Sequence, residues 1–350
     1  MSYIMLGLGW VLKLMYILVN NYGVAILLFT IIIKAILMPL TVKQQKSMLK
    51  TQKLQPLLMD LQKKYENDKD KLNQETMKLY QKYKINPMSG CLPMLIQLPI
   101  LMALYWVVKQ PIIYIMGVGS EDIWRLVWAM NDWAQQSQAN LDSLNHLLES
   151  MKIDPNNFVG FFVDNNFKNF GQYEITIARF LHANPEIMNS SWITETGKVY
   201  RLIDFNFCGI DLSETPDLWS LIGLVMGKIP EGGITWNLIG LWLIPILAGA
   251  SSYATSKITQ AMQPPQPVQK DENGMEKPNT MKTMMVIMPL FSAWIAFSLP
   301  AAIGFYWILS SILQLLQQLV INKVADVGLT DEDVKEEMEN AKKNRKKRKK

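Results

Sequence analysis

Histidine and cysteine are close to absent from this 350-residue chain, which holds two of each. Cys91 and Cys208 are too few and too far apart to found a disulfide framework or a metal-ligand spacing. His146 and His182 each stand alone and read as surface or interface side chains before ligands. Charge is also scarce, at 19% of residues against 49% hydrophobic. The chain has no Walker-type glycine loop, no nucleophile–base set and no metal cluster. These absences argue against a nucleotide-driven machine or a hydrolase, and no cofactor is expected. The N-terminus lacks the basic region and small-residue cleavage site of a signal peptide, so the first segment is expected to stay in place.

What the chain does have is segregation. Long hydrophobic stretches alternate with highly charged ones, the pattern of a multi-pass membrane protein. Five stretches approach the ~20 residues that a bilayer core requires. The expected spans are 20–40, 91–116, 236–257, 283–299 and 301–322, the last two joined tightly across Leu299-Pro300. Pro93, Pro99, Pro111, Pro245 and Pro289 fall in or beside them, tolerated where neighbouring helices satisfy the freed carbonyls. Residues 1–19, rich in Leu and Met with Trp10, Lys13 and Tyr16, are short and read as an interfacial helix. Leu218 to Met226 is likewise too short to cross.

Charge bias orients the spans. Residues 41–90 carry eleven Lys against five acids, whereas residues 117–235 carry seven Lys and Arg against fifteen Asp and Glu. Basic residues in short loops mark the cytoplasmic side. The 41–90 region, the 258–282 loop and the 323–350 tail are therefore expected inside, and the N-terminus and 117–235 insertion outside. Within 41–90, Leu54, Leu57, Leu58, Leu61 and Tyr65 share one helical face, and Leu72, Thr76, Leu79, Tyr80 and Tyr83 another. Two helices meeting in a hairpin follow, with a solvated charged loop as the alternative. Trp124, Trp128 and Trp133 in the insertion fit either a face resting on the membrane or packing within a small lid.

The most informative single residue is Lys34, set in the apolar run Phe29 to Leu40. An ammonium at membrane depth costs at least ~2.5–3.5 kcal/mol. Its position about six residues from the cytoplasmic helix end is roughly 9 Å, within reach of snorkelling. Thr30 lies one turn away on the same face, but threonine also bonds its own helix backbone. The residues alone leave open a snorkelling lysine and a functional one. Gln97 could equally bond a neighbouring helix, and Trp307 could belong to an interfacial aromatic belt.

Four blocks carry a resemblance. They are Ile33-Lys34-Ala35-Ile36-Leu37-Met38-Pro39-Leu40 followed by Lys43-Gln44; Gly90-Cys91-Leu92-Pro93-Met94-Leu95-Ile96-Gln97-Leu98-Pro99-Ile100; Asp211-Leu212-Ser213; and Met288-Pro289 through Phe297-Ser298-Leu299-Pro300-Ala301-Ala302 to Tyr306-Trp307. In order and topology they resemble the YidC/Oxa/Alb membrane protein insertases. The resemblance implies an all-α multi-pass membrane protein of the five-span type found in Gram-positive bacteria. Its five transmembrane helices would surround a hydrophilic groove, with a cytoplasmic helical hairpin between the first two.

The resemblance places Lys34, Thr30, Gln97 and Trp307 at groove-facing positions. It implies insertion of nascent membrane proteins into the bacterial cell membrane without nucleotide hydrolysis, alone or beside the Sec translocon. Two features depart from the family pattern: Lys34 stands where most relatives carry Arg, and a large external insertion follows the second span rather than the first.

The tail ends in eight basic residues, Lys342, Lys343, Arg345, Lys346, Lys347, Arg348, Lys349 and Lys350, behind an acidic stretch from Asp331 to Glu339. Phosphate neutralisation suits it to ribosomal RNA or to anionic lipid, and resemblance to relatives with basic tails favours the ribosome. The alternative function is a small-solute transporter or channel, for which the paired inverted repeats common in such folds are not found.

Overall fold

The computed structural model describes residues 2–65, 68–85, 92–230, 232–261 and 280–324. It is overwhelmingly helical. Helices α1 (Ser2–Val19) and α2 (Tyr22–Lys53) are separated by Asn20 and Asn21 alone. Asn20 takes a φ of 50°, a left-handed conformation that asparagine tolerates. The Asn21 side chain accepts from the Val24 amide at 3.0 Å and so caps α2. There follow α3 (Gln55–Lys64), α4 (Lys69–Lys82), α5 (Leu92–Lys109), a π-helical segment Ile112–Met116, α6 (Ile123–Ala134), α7 (Gln138–Ser150), α8 (Phe158–Val163), α9 (Glu174–Ala183) and α10 (Ser191–Thr194). A minimal hairpin of β1 (Asn206–Phe207) and β2 (Ile210–Asp211) leads to α11 (Leu218–Val225), α12 (Trp236–Ala261), α13 (Thr280–Ser298) and α14 (Ala301–Val324).

Among the described residues, three helices are long and apolar enough to cross a membrane: Tyr22–Lys53, Trp236–Thr259 and Ala301–Lys323. Shorter apolar helices are Met5–Val19, Pro99–Lys109 and Pro289–Ser298. Two boundaries differ from those read off hydropathy. α2 runs on past Leu40 to Lys53, because the Lys- and Gln-rich continuation is made of good helix formers. The stretch 91–116 divides at Gln110-Pro111, where proline offers no amide to continue the ladder. The π segment then ends at Gly117, whose φ is 79°.

The described residues within 1–31, 99–245 and 295–307 form one compact unit, and those within 32–98, 246–294 and 308–324 form a second. In the first unit α1 packs on the π segment. The buried Tyr16 hydroxyl donates to the Leu202 carbonyl and accepts from the Asp204 amide, both at 3.0 Å. The Trp133 indole donates to Glu186 at 3.1 Å, while the Trp124 and Trp128 rings lie against Trp192 at 5.7 and 5.8 Å. All three tryptophans thus make packing contacts inside the unit. Cys208 and Gly209, with φ of 54° and 80°, turn the β-hairpin in the two-residue geometry that requires positive φ at both positions. Phe207 of that hairpin lies against Phe305 at 5.1 Å, and its ring leaves no room for a Cβ at Gly23.

In the second unit, Leu54, Leu57 and Ile85 form a buried cluster with Leu49, Leu79, Tyr80 and Tyr83 packed against it. This cluster joins α3 and α4. Asp68 caps α4 by accepting from the Lys71 amide at 3.0 Å. Gly249 on α12 lets α13 approach closely, since a Cβ there would sit 2.9 Å from the Ala293 Cβ.

Candidate functional site

The second unit inverts the usual amphipathic pattern. On α14, Ile312, Leu316, Leu319 and Val320 are exposed, whereas Ser310, Ser311, Gln317 and Gln318 are buried. Both sets repeat at helical spacing. α2 contributes buried Gln44 and Gln45 to the same unit, beside the exposed apolar Met38 and Leu40. On α14, an apolar exterior with the polar side chains turned inward suits a helix flanked by hydrocarbon.

Part of this polar interior is paired. The Gln45 amide donates to Asn322 Oδ1 at 2.9 Å, and the Gln318 amide to Thr259 Oγ1 at 3.1 Å. Part is not. Gln44 Nε2, Ser47 Oγ, Ser252 Oγ and Gln318 Oε1 are buried without a hydrogen-bond partner among the described residues. An unpaired polar atom costs about 1–3 kcal/mol when truly dry, so these four atoms of the second unit are better accommodated where water or a polar chain can reach them.

Lys34 belongs to this unit and is half-buried on α2. No carboxylate pairs with it among the described residues. Thr30, one turn earlier on the same helix, belongs to the first unit and is buried, with its hydroxyl donating to the Ile26 carbonyl at 2.6 Å. That bond leaves a hydroxyl oxygen able to accept but no free donor. Trp307 is half-buried on α14, also in the first unit. The preceding residue, Tyr306, faces Phe29 of α2 with ring centroids 6.4 Å apart. No hydrogen bond or ring contact joins Thr30, Lys34 and Trp307 to one another among the described residues. Gln97 sits on α5, but its side chain lies outside the described residues, as do the tail residues 342–350.

The polar face of α14 is the feature that reading isolated residues missed. Its signal is present in the sequence as Ser310-Ser311, Gln314, Gln317-Gln318 and Asn322, repeating every three to four positions along an apolar helix.

One further buried polar group lies outside the spans. Glu174, at the start of α9, is fully buried and accepts from the Ile113 amide at 3.1 Å. Burial pushes its carboxyl up to about 8, against the opposing pull of the Ile113 and Ile112 amides. Its second oxygen has no partner among the described residues. This carboxyl ties α9 to the start of the π segment.

The chain matches the family described as 60Kd inner membrane protein over residues 14–164 and 172–327. It is 55% identical over 94 residues to the Membrane protein insertase YidC of Syntrophus aciditrophicus, covering 27% of this chain and 17% of that protein. The insertase of the same name from Fusobacterium nucleatum is 55% identical over 95 residues, 27% of this chain and 46% of that protein. That of Geobacter metallireducens is 51% identical over 94 residues, 27% and 18% of the two chains. The matches thus span less than half the length of each of these relatives.

Proposed function

Since this chain belongs to the 60Kd inner membrane protein family across most of its length, we propose that it inserts nascent membrane proteins into the bacterial cytoplasmic membrane and helps them fold. The observation that carries the reading is the polar interior of the second unit, to which half-buried Lys34 belongs, combined with relatives that bear the name Membrane protein insertase.

The physical problem is to move a polar, often acidic, tail of a substrate across hydrocarbon. A wet half-channel shortens the dry path, and a cation within it offers the tail a temporary counter-charge. The substrate's apolar segment then partitions sideways into lipid, and its burial drives the net reaction. Nucleotide hydrolysis is not required by this scheme. The residues that the family resemblance assigns to the groove are Lys34, Thr30, Gln97 and Trp307, and the polar face of α14 at Ser310, Ser311 and Gln317 belongs to the unit that holds Lys34. Thr30 contributes as an acceptor, since its hydroxyl proton is already committed to Ile26.

Five spans, with the N-terminus outside and the C-terminus cytoplasmic, complete the reading. It is supported by the Lys-rich 41–90 region and the acid-rich 117–235 insertion. The partners are nascent membrane proteins, the ribosome through the basic tail, and the Sec translocon for substrates that need it.

The test is reconstitution. Purified full-length protein in vesicles, supplied with a nascent single-span substrate and no nucleotide, is expected to yield protease-protected, lipid-integrated product. Integration no better than in empty vesicles would reject the function. Depletion in cells separates the alternatives further, because an insertase defect spreads across several small membrane proteins while a transporter defect follows one solute.

A further inference from the structure

Helix α11 and the described residues between it and Trp236 carry a run of exposed apolar side chains. α11 has a fully encoded beginning and end. Asp217 accepts from the Trp219 and Ser220 amides at 2.9 and 3.1 Å, an N-cap. At the other end Gly227, with φ of 82°, donates to the Leu224 carbonyl at 2.9 Å while Lys228 donates to Gly223 at 2.8 Å. That pair of bonds is the Schellman arrangement. The helix is therefore built deliberately, yet it spans only about 12 Å, too little to cross a bilayer.

Its side chains are almost all apolar. Trp219 is 76% exposed, Val225 83% and Met226 73%, with Ile222 exposed beside them. Trp219, Ile222 and Met226 repeat at three and four residues and so form one stripe. Beyond the helix, Ile229 is 73% exposed and Ile234 and Trp236 extend the apolar surface. The face opposite is used. Trp242, in the second turn of α12, donates its indole N–H toward the Asp217 carbonyl and Ser220 Oγ, each at 3.2 Å. Trp236 is anchored by its indole donating to the Cys208 carbonyl at 2.8 Å.

These bonds fix the position of α11 along α12. Trp242 lies six residues into α12, about 9 Å along the axis from Trp236. α12 is one of the helices long and apolar enough to span the membrane. The start of α11 is therefore held beside the second turn of α12, while Asp217 and Lys228 flank its two ends with charge. A stripe of this chemistry beside a spanning helix has one partner at hand, the acyl chains of the adjoining leaflet.

We propose that α11, with the exposed Ile229, Ile234 and Trp236 beyond it, forms a lipid-inserted paddle, buried in the leaflet that holds the N-terminal end of α12. The occupant of the exposed stripe is lipid. The inference rests on the membrane embedding of α12 and is independent of insertase activity.

The experiment uses the full chain with Cys91→Ser and Cys208→Ser, reconstituted into phosphatidylcholine vesicles. Single cysteines Trp219→Cys and Val225→Cys carry an environment-sensitive NBD fluorophore. Val199→Cys, 91% exposed in the same compact unit, serves as the water control. Label at 219 and 225 is expected to emit to the blue of the 199 label. It should also be quenched several-fold more strongly by lipid spin-labelled near the head of its acyl chain, and several-fold less by aqueous iodide. Emission and quenching equal to the 199 label would overturn the paddle. Shielding from both quenchers that grows with protein-to-lipid ratio would overturn it too, because a second copy would then cover the stripe. Val225→Cys guards against misfolding of the tryptophan variant, since its side chain is almost wholly exposed. Failure of substrate insertion with the quenching pattern intact would count against the proposed function and leave the paddle standing.

Discussion

The amide of Ala302 donates to the carbonyl of Leu212 at 2.8 Å, and its neighbour Ala301 donates to Glu214 at 2.8 Å. Two of the amides that open α14 are thereby satisfied by main chain rather than by a capping side chain. The accepting segment is itself clamped. Arg179 of α9 reaches Asp211 and Glu214 at 3.1 and 2.9 Å. Asn237 of α12 accepts from the Asp211 amide at 2.7 Å and donates to Glu214 Oε2 at 2.9 Å. The Asp211-Leu212-Ser213 block, noted in the sequence as a resemblance, is thus a junction of α9, α12 and α14.

The roles within that junction are unequal. Asp211→Ala removes the acceptor of the Ser213 amide as well as of Arg179, and should cost about 1–3 kcal/mol. Arg179 is nearly half exposed, so Arg179→Ala should cost at most about 1 kcal/mol. Thermal unfolding of the detergent-solubilised full chain gives the comparison, and the reverse order would contradict this account.

Much of this architecture was legible in the sequence, because hydropathy and helical spacing report burial directly. The Leu54, Leu57 and Leu58 spacing coincides with α3, where Leu57 and Leu58 are buried, and with the buried residue before it. Hydropathy marks bilayer thickness rather than helix length, so it places a boundary at Leu40 that the α2 backbone ignores. The insertion was not legible. Its helices are short, and contacts such as Trp133 with Glu186, fifty-three residues apart, leave no local period to read. At the candidate site Lys34 drew attention through its charge, whereas Ser310, Ser311 and Gln317 are neutral and show only as a repeating face.

Glu174 gives the first unit a pH dependence with a definite sign. Its folded carboxyl is raised to about 8 from an ordinary value of 4.5. Between these values the folded chain holds a proton that the unfolded chain has released. Stability contributed by this group is therefore full below pH ~4.5 and falls by up to ~1.4 kcal/mol per pH unit until about pH 8. Glu174→Gln keeps an acceptor for the Ile113 amide and cannot ionise, so it should be more stable than the parent chain at pH 8 and lose this slope. Unfolding midpoints measured from pH 5 to 8 for both proteins test it, and parallel curves would reject the assignment.

Gln44 separates stability from function. Its buried Nε2 has no partner among the described residues, so Gln44→Leu should leave the unfolding temperature unchanged or raise it. If the interior of the second unit is wetted for substrate passage, the same change should lower single-span insertion several-fold in reconstituted vesicles. Full insertion by the Leu variant would remove Gln44 from the working surface.

The basic tail is tested by salt. Deleting residues 340–350 removes eight cations, each able to release a counterion on binding phosphates. Ribosome cosedimentation should weaken, and the residual binding should vary less steeply with ionic strength. Binding that is unchanged in both respects would assign the tail to anionic lipid instead.

Lys34 decides between attraction and grip. A lysine is a compact, hydrated point charge, whereas arginine presents a planar fork suited to two-point contact with a carboxylate. If the cation only attracts an acidic tail, Lys34→Arg should insert substrates as well as the parent chain. Lys34→Ala should then lose most activity toward substrates with acidic tails and little toward neutral ones. If a forked grip matters, Lys34→Arg should exceed the parent on acidic substrates. Equal activity of the Ala variant on acidic and neutral tails, at the parent's level, would reduce Lys34 to a snorkelling residue and remove charge from the mechanism.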